Sequence, residues 1–330
     1  MSRLRTVFFG TPDFAVPTLR RLADDDRFTV DLVVTQPDRP TGRGQRVTET
    51  PVKRTALQRG LPIYQPTSLR TAEARESLVE TRADIFIVTA YGLIFGRATL
   101  ALPRLGCLNL HASLLPKYRG ASPVSAAILA GERETGVSLM LMDPGLDTGP
   151  IIDCSKLLVR EDDSTGSLTQ RLATLAADLA IDAIPAFADG TLQPIPQPET
   201  GASLTRPLTK ADGWVDWADS AEVLDRHIRA MAPWPKAWTT IGTQTLQIHS
   251  ARVVGAESTA KPGQVLLSKK EIVVACGDGA LVLDSIQPAG GKAMSGGAFL
   301  SGRGLEPDAV LGADGAPPRQ PPLIVPIAMG

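Results

Sequence analysis

In the first half of the chain, short apolar runs alternate with segments of helical spacing, and this rhythm restricts the fold to a parallel sheet flanked by helices. Thr6 to Gly10 (TVFFG) predicts a buried first strand, and Gly10-Thr11-Pro12 turns the chain into a helix through Ala23. Thr29 to Thr35, Asp84 to Ala90, Cys107 to Leu110 and Gly136 to Met142 predict further strands, with an outer one from Pro150 to Val159. Ser164 to Ala188 predicts an amphipathic helix, because Leu168, Leu172, Leu175 and Leu179 fall on one face. An open, mostly parallel α/β sheet of Rossmann-like type is expected over residues 1–189.

The rhythm then breaks. Asp189 to Pro207 carries four prolines and no period, so residues 190–207 read as a linker. Beyond it, Ser220 is placed to cap a helix that buries Leu224, Ile228 and Met231. After Trp234 the pattern is one of short strands. Glu271 to Cys276 and Ala280 to Ile286 flank Gly277-Asp278-Gly279, a strong hairpin signal. A small β-barrel of about 100 residues fits residues 208–311. Residues 312–330, rich in proline and glycine, are expected to form a flexible tail.

Composition narrows the function. The 330 residues are 43% hydrophobic, enough for two packed domains, and a formal net charge of -1 excludes an overall basic coat. Cys107, Cys154 and Cys276 form no CxxC pair, and His111, His227 and His249 lack ligand spacing, so no metal is expected. The turn GTPDFA lacks G-x-G-x-x-G, and no NAD site is expected. The apolar run at the amino terminus is far shorter than the ~7–15 residues of a secretory signal or the ~20 of a membrane helix. A cytoplasmic monomer that contacts no membrane is the expectation.

The chemistry concentrates in two places. In Leu108-Asn109-Leu110-His111 the two-residue period sends Asn109 and His111 to the same side of a strand. They stand at its carboxyl end, where open α/β sheets place their ligands. A second predicted core strand runs into Met142-Asp-Pro-Gly-Leu-Asp147-Thr-Gly149. An Asp in such a loop is commonly a turn residue, but a carboxylate beside an imidazole also fixes the ring's orientation.

Together these segments resemble the folate-dependent formyltransferase family, and most closely its members that act on charged initiator tRNA. The resemblance spans nearly the whole chain. It is carried by FFGTPDFAVPTL (Phe8 to Leu19), TQPDRPTGRGQ (Thr35 to Gln45), Asn109 to Gly120, GLDTG (Gly145 to Gly149), PWP (Pro233 to Pro235) and QPAGGKAMSGGAFL (Gln287 to Leu300). Ala112 stands where many relatives have glycine, and a methyl group there is expected to change nothing.

The resemblance implies 10-formyltetrahydrofolate as formyl donor and the α-amine of Met-tRNA as acceptor. Asn109 and protonated His111 would stabilise the tetrahedral oxyanion, with Asp147 holding His111 and relaying a proton. The folate is expected along Ser113, Leu114, Leu115 and Pro116, with Tyr91, Gly92, Leu93, Ile94 and Met140 to Asp143 as walls. The Val34 to Arg54 segment sets Arg39, Arg43, Arg46, Lys53 and Arg54 against Asp38 and Glu49, and its glycine-flanked Arg43 is expected to reach the acceptor stem. Residues 201–304 hold 11 Lys+Arg and 9 Asp+Glu, so an OB-like domain would bind tRNA through one face. Arg229, Lys236, Lys269, Lys270, Lys292 and Arg303 are the candidates there.

Overall fold

The computed structural model describes residues 3–41, 46–255, 260–267, 270–302, 305–306 and 309–327. Its first layer is a seven-stranded sheet in the order Ile151–Leu158, Glu134–Leu141, Cys107–His111, Ile85–Thr89, Leu4–Gly10, Phe28–Val34 and Ile63–Tyr64. The last five run parallel, and the first two are antiparallel additions at one edge. The mostly parallel α/β sheet predicted from the alternating runs is thus present.

Both faces of this sheet are covered, which explains why its strands read as continuous apolar runs. Phe8, Ile85, Ile87, Leu108 and Leu110 pack on one side, while Val7, Phe9, Phe86 and Val88 pack on the other. Each such side chain contributes roughly 1.5–3 kcal/mol through burial. The Thr165–Ala188 helix starts in a reciprocal cap between Ser164 and Ser167. It buries Leu168, Leu172 and Leu179 against the first face, with Leu175 half-buried beside them.

The second region is an antiparallel sheet curled into a half-barrel, in the order Ala237–Ile241, Gln244–Val254, Ala280–Pro288, Ile272–Ala275 and Val265–Leu267. The predicted hairpin is present, closed by the Cys276 amide on the Gly279 carbonyl at 3.0 Å, with Gly279 at φ +70°. Leu311 bridges to Ile241 and Val310 to Gln264, so one short segment touches both edges of the sheet. The Ala221–Ala230 helix, capped by Ser220, buries Leu224 and Ile228 and joins the cores of both halves.

Two expectations need correcting. Residues 190–207 are more than a linker: Ser203–Thr205 pairs in parallel with Arg119–Gly120 of the first domain. The tail is also built into the fold, because Ile324–Pro326 pairs antiparallel with Ser203–Thr205. Arg206 further holds the Pro321 carbonyl at 2.7 Å, and Thr240 donates to the Asp314 carbonyl at 2.5 Å. Strands of three residues are too short to carry a readable period, and Pro326 lies on an edge strand, where proline is tolerated.

Candidate active site

The Cys107–His111 strand lies between Ile85–Thr89 and Glu134–Leu141, so its alternate residues have fixed directions. Leu108 and Leu110 enter the core, while Asn109 and His111 emerge together toward Asp147. The Asn109 Nδ2 amide lies 3.5 Å from Asp147 Oδ1, a long and weak hydrogen bond. His111 Nδ1 lies 3.6 Å from Asp147 Oδ2. The imidazole is 7% exposed and the carboxylate 14%, so a reacting atom beside them would be largely removed from water.

The other face of the imidazole settles its tautomer. His111 Nε2 sits 2.9 Å from the Tyr118 carbonyl, and a carbonyl can only accept, so Nε2 carries the proton. Nδ1 is left on the Asp147 side.

Asp147 is held by its surroundings. It stands at φ +53°, a left-handed conformation that costs a non-glycine residue roughly 1–2 kcal/mol. The Gly120 amide donates to its Oδ2 at 2.8 Å. Gly149 is required beside it: a Cβ there would lie 1.8 Å from the Leu141 carbonyl oxygen. Asp143 Oδ1 accepts from the Gly145 amide at 2.9 Å and the Thr148 hydroxyl at 2.7 Å, so this carboxylate braces the loop.

The residues expected to wall the folate divide into several groups. Tyr91 is 2% exposed, and its ring stacks edge-on against Phe9 and Phe95. Its side chain is therefore core, and burial raises its phenol pKa. Gly92 and Ile94 are exposed next to it, with Leu93 half-buried between them. Met140 is buried opposite Asn109 in the strand register. Ser113 is also buried, and its hydroxyl donates to the Lys117 carbonyl at 2.6 Å. Leu115 is held through its amide by Ser138 Oγ at 3.0 Å. Leu114 and Pro116 line a cavity of about 310 Å³ shared with Tyr118, Glu132 and Thr135, whose walls include none of Asn109, His111 and Asp147.

Among the expected tRNA contacts, Arg39 is exposed on a two-stranded hairpin formed by Arg39–Thr41 and Arg46–Thr48. Arg43, Lys269, Arg303 and the Arg46 side chain lie outside the described residues. Lys53 is withdrawn from the cation set, because it bridges Asp38 at 2.5 Å and Glu49 at 3.6 Å. The pairing lowers the pKa of Asp38 and raises that of Lys53. Arg229 is similarly tied to Asp225 at 2.8 Å. Lys292 is exposed and Lys270 lies at the surface. Lys236 borders a cavity of about 450 Å³ between the domains, with His249 and Gln170.

Several groups around the trio carry no legible signal in the sequence. The Tyr118 carbonyl and Gly120 amide are main-chain atoms that any residue supplies. Gln197, whose Nε2 donates to the Asp147 carbonyl at 2.8 Å and the Gly149 carbonyl at 2.7 Å, lies in a proline-rich segment. No group of three or more metal-binding side chains occurs among the described residues, and no described helix is long and apolar enough to cross a membrane.

Comparison with known proteins agrees with this architecture. Residues 4–184 match the formyl transferase family, and residues 207–304 match the formyl transferase C-terminal domain. The chain belongs to the formyl transferase family. It is 46% identical over 308 residues to the methionyl-tRNA formyltransferase of Myxococcus xanthus, covering 93% of this chain and 97% of that one. The methionyl-tRNA formyltransferase of Methylococcus capsulatus is 44% identical over 302 residues, 92% and 98% of the two chains. A crystal structure of an N-formyltransferase from Helicobacter canadensis, in complex with folinic acid and dTDP-3-aminofucose, shares the fold. Its TM-score is 0.64 at 18% identity, covering 86% of this chain and 99% of that one.

Proposed function

We propose that this chain transfers the formyl group of 10-formyltetrahydrofolate to the α-amine of initiator methionyl-tRNA, with Asn109, His111 and Asp147 at the reacting centre. Near-full-length relatives named for that activity support the methionyl-tRNA acceptor, and a structure of the same fold in complex with folinic acid supports a folate donor. The observation that carries the chemistry is the convergence of an amide, an imidazole and a carboxylate within 3.5–3.6 Å from two distant segments.

The neutral amine attacks the formyl carbon, forming a C–N bond as the carbonyl becomes a tetrahedral oxyanion. Asn109 Nδ2 donates to that oxygen, and protonated His111 Nδ1 supplies a second hydrogen bond and a positive charge. Asp147 accepts the proton that the attacking nitrogen must lose. Collapse breaks the bond to the folate nitrogen, which takes up that proton relayed from Asp147 and leaves as tetrahydrofolate. No covalent enzyme intermediate is required.

Ser113 to Pro116, Gly92 to Ile94, Met140 and Asp143 form the folate side of this reading, through main-chain groups as much as side chains. Arg39, Arg43, Arg46 and Lys292 form the tRNA side. The domain division follows residues 1–189 and 208–311. Both substrates belong to the cytoplasm, where the enzyme works as a monomer.

The test is single-turnover formyl transfer by Asp147→Asn in a folded protein, with charged initiator tRNA and 10-formyltetrahydrofolate. A rate near that of the unmodified chain would remove Asp147 from the chemistry. Formylation of an amino-sugar nucleotide in preference to Met-tRNA would overturn the acceptor.

A further inference from the structure

Gln197 lies between Pro196 and Pro198 in the segment expected to be a mere linker. Its neighbours Ile195, Pro196 and Pro198 are exposed, whereas Gln197 is partly buried against the Asp147 loop. Its Nε2 donates to the Asp147 carbonyl at 2.8 Å and to the Gly149 carbonyl at 2.7 Å. Its Oε1 accepts from Arg119 Nε at 3.1 Å and from the second guanidinium nitrogen at 2.8 Å. Guanidinium groups only donate and carbonyls only accept, so the amide has one orientation that satisfies all four bonds.

The segment is seated before it reaches the loop. Ile195 and Ile151 exchange main-chain hydrogen bonds of 2.8 and 2.7 Å, which fixes the chain two residues upstream. Proline on either side limits the backbone, so little conformational freedom is lost in presenting the amide. The two carbonyls Gln197 holds belong to the residue in the left-handed conformation and to the glycine that closes the turn. Gln197 thus restrains the backbone on which the Asp147 carboxylate is mounted.

We propose that Gln197 is a positioning residue for Asp147, clamping the loop so that the carboxylate stays within reach of His111 Nδ1 and Asn109 Nδ2. This inference rests on the catalytic reading given above. Arg119 is part of the clamp: it orients the glutamine amide, and Gly120, next in the chain, donates to the Asp147 carboxylate. Gly120 thus holds the side chain of Asp147 and Gln197 its main chain, with Arg119 bonded to Gln197.

Gln197→Glu provides the sharpest test, because it keeps the size and the pairing with Arg119 but offers no hydrogen to the two carbonyls. Single-turnover rates are compared for the unmodified chain, Gln197→Glu, Gln197→Ala, Asp147→Asn and the two double variants, alongside circular dichroism and folate affinity. Expected is a rate loss of about tenfold or more for both Gln197 variants, with folate affinity within about twofold. In the Asp147→Asn background the same Gln197 changes should alter the rate less than about twofold, since the carboxylate they position is gone. A Gln197→Glu rate equal to the unmodified chain, or an undiminished loss in the Asp147→Asn background, would overturn the assignment. A normal rate for Asp147→Asn alone would overturn the catalytic reading and this inference with it.

Discussion

The main-chain carbonyl of Tyr118 accepts the Nε2 proton of His111 at 2.9 Å, while Tyr118 itself stands at φ +59°. The Tyr118 amide is in turn held by Ser203 Oγ at 2.9 Å. A left-handed residue in the loop after the strand thus returns the chain to the imidazole, leaving Nδ1 free to face Asp147.

Removing either donor toward the oxyanion should be costly. One preorganised donor is worth roughly 2.7–4 kcal/mol in such sites. Asn109→Ala and His111→Ala are each expected to slow single-turnover transfer by about a hundredfold or more. Stopped or quenched reactions with saturating folate and tRNA measure this directly.

Gly149→Ala should damage the site without touching the trio. The added methyl would sit 1.8 Å from the Leu141 carbonyl oxygen, and main chain cannot yield without shifting the loop that carries Asp147. A loss of about a hundredfold in single-turnover rate is expected, in a protein whose circular dichroism is retained. An active Gly149→Ala enzyme would mean that the loop tolerates displacement.

Stability should fall in acid through His227. Burial lowers its pKa from the ordinary 6.5, and its Nε2 has no hydrogen-bond partner. As pH drops below 6.5 the unfolded chain takes up a proton that the folded state refuses, so stability is full above that value and declines beneath it. Thermal unfolding between pH 7.5 and 5 should show a steeper decline for the unmodified chain than for His227→Gln.

Arg43→Ala should lower kcat/KM for Met-tRNA and leave folate affinity unchanged. If Arg43 contacts one phosphate, the dependence of log K on log salt should lessen by about one unit. Unchanged kcat/KM for Met-tRNA would count against the glycine-flanked loop as a tRNA contact.

The legible parts of the molecule were those with periodicity. Asn109 and His111 announced themselves because Leu108 and Leu110 alternate with them, and the Thr165–Ala188 helix because its leucines keep one face. Asp147 was legible only through its flanking glycines and its pairing with His111. Gln197 was not, since a side chain that bonds two carbonyls fifty residues away leaves no local pattern. Helices Pro51–Gln58 and Ala72–Thr81 were also unread, although Thr50 and Thr71 cap them. Lys53 enters the local positive charge of its segment because sequence proximity does not reveal its enclosure by Asp38.

The small sheet formed by Arg119–Gly120, Ser203–Thr205 and Ile324–Pro326 has a temporal consequence. During synthesis the α/β layer can assemble early, but the support behind Tyr118 and Gly120 waits for residues 203–205, and its outer strand for residues 324–326. A nascent chain that has emerged only through its first domain would own Asn109, His111 and Asp147 yet lack the strand that holds Tyr118 and Gly120 beside them. The support behind Tyr118 and Gly120 therefore forms only after residues 203–205 have been made.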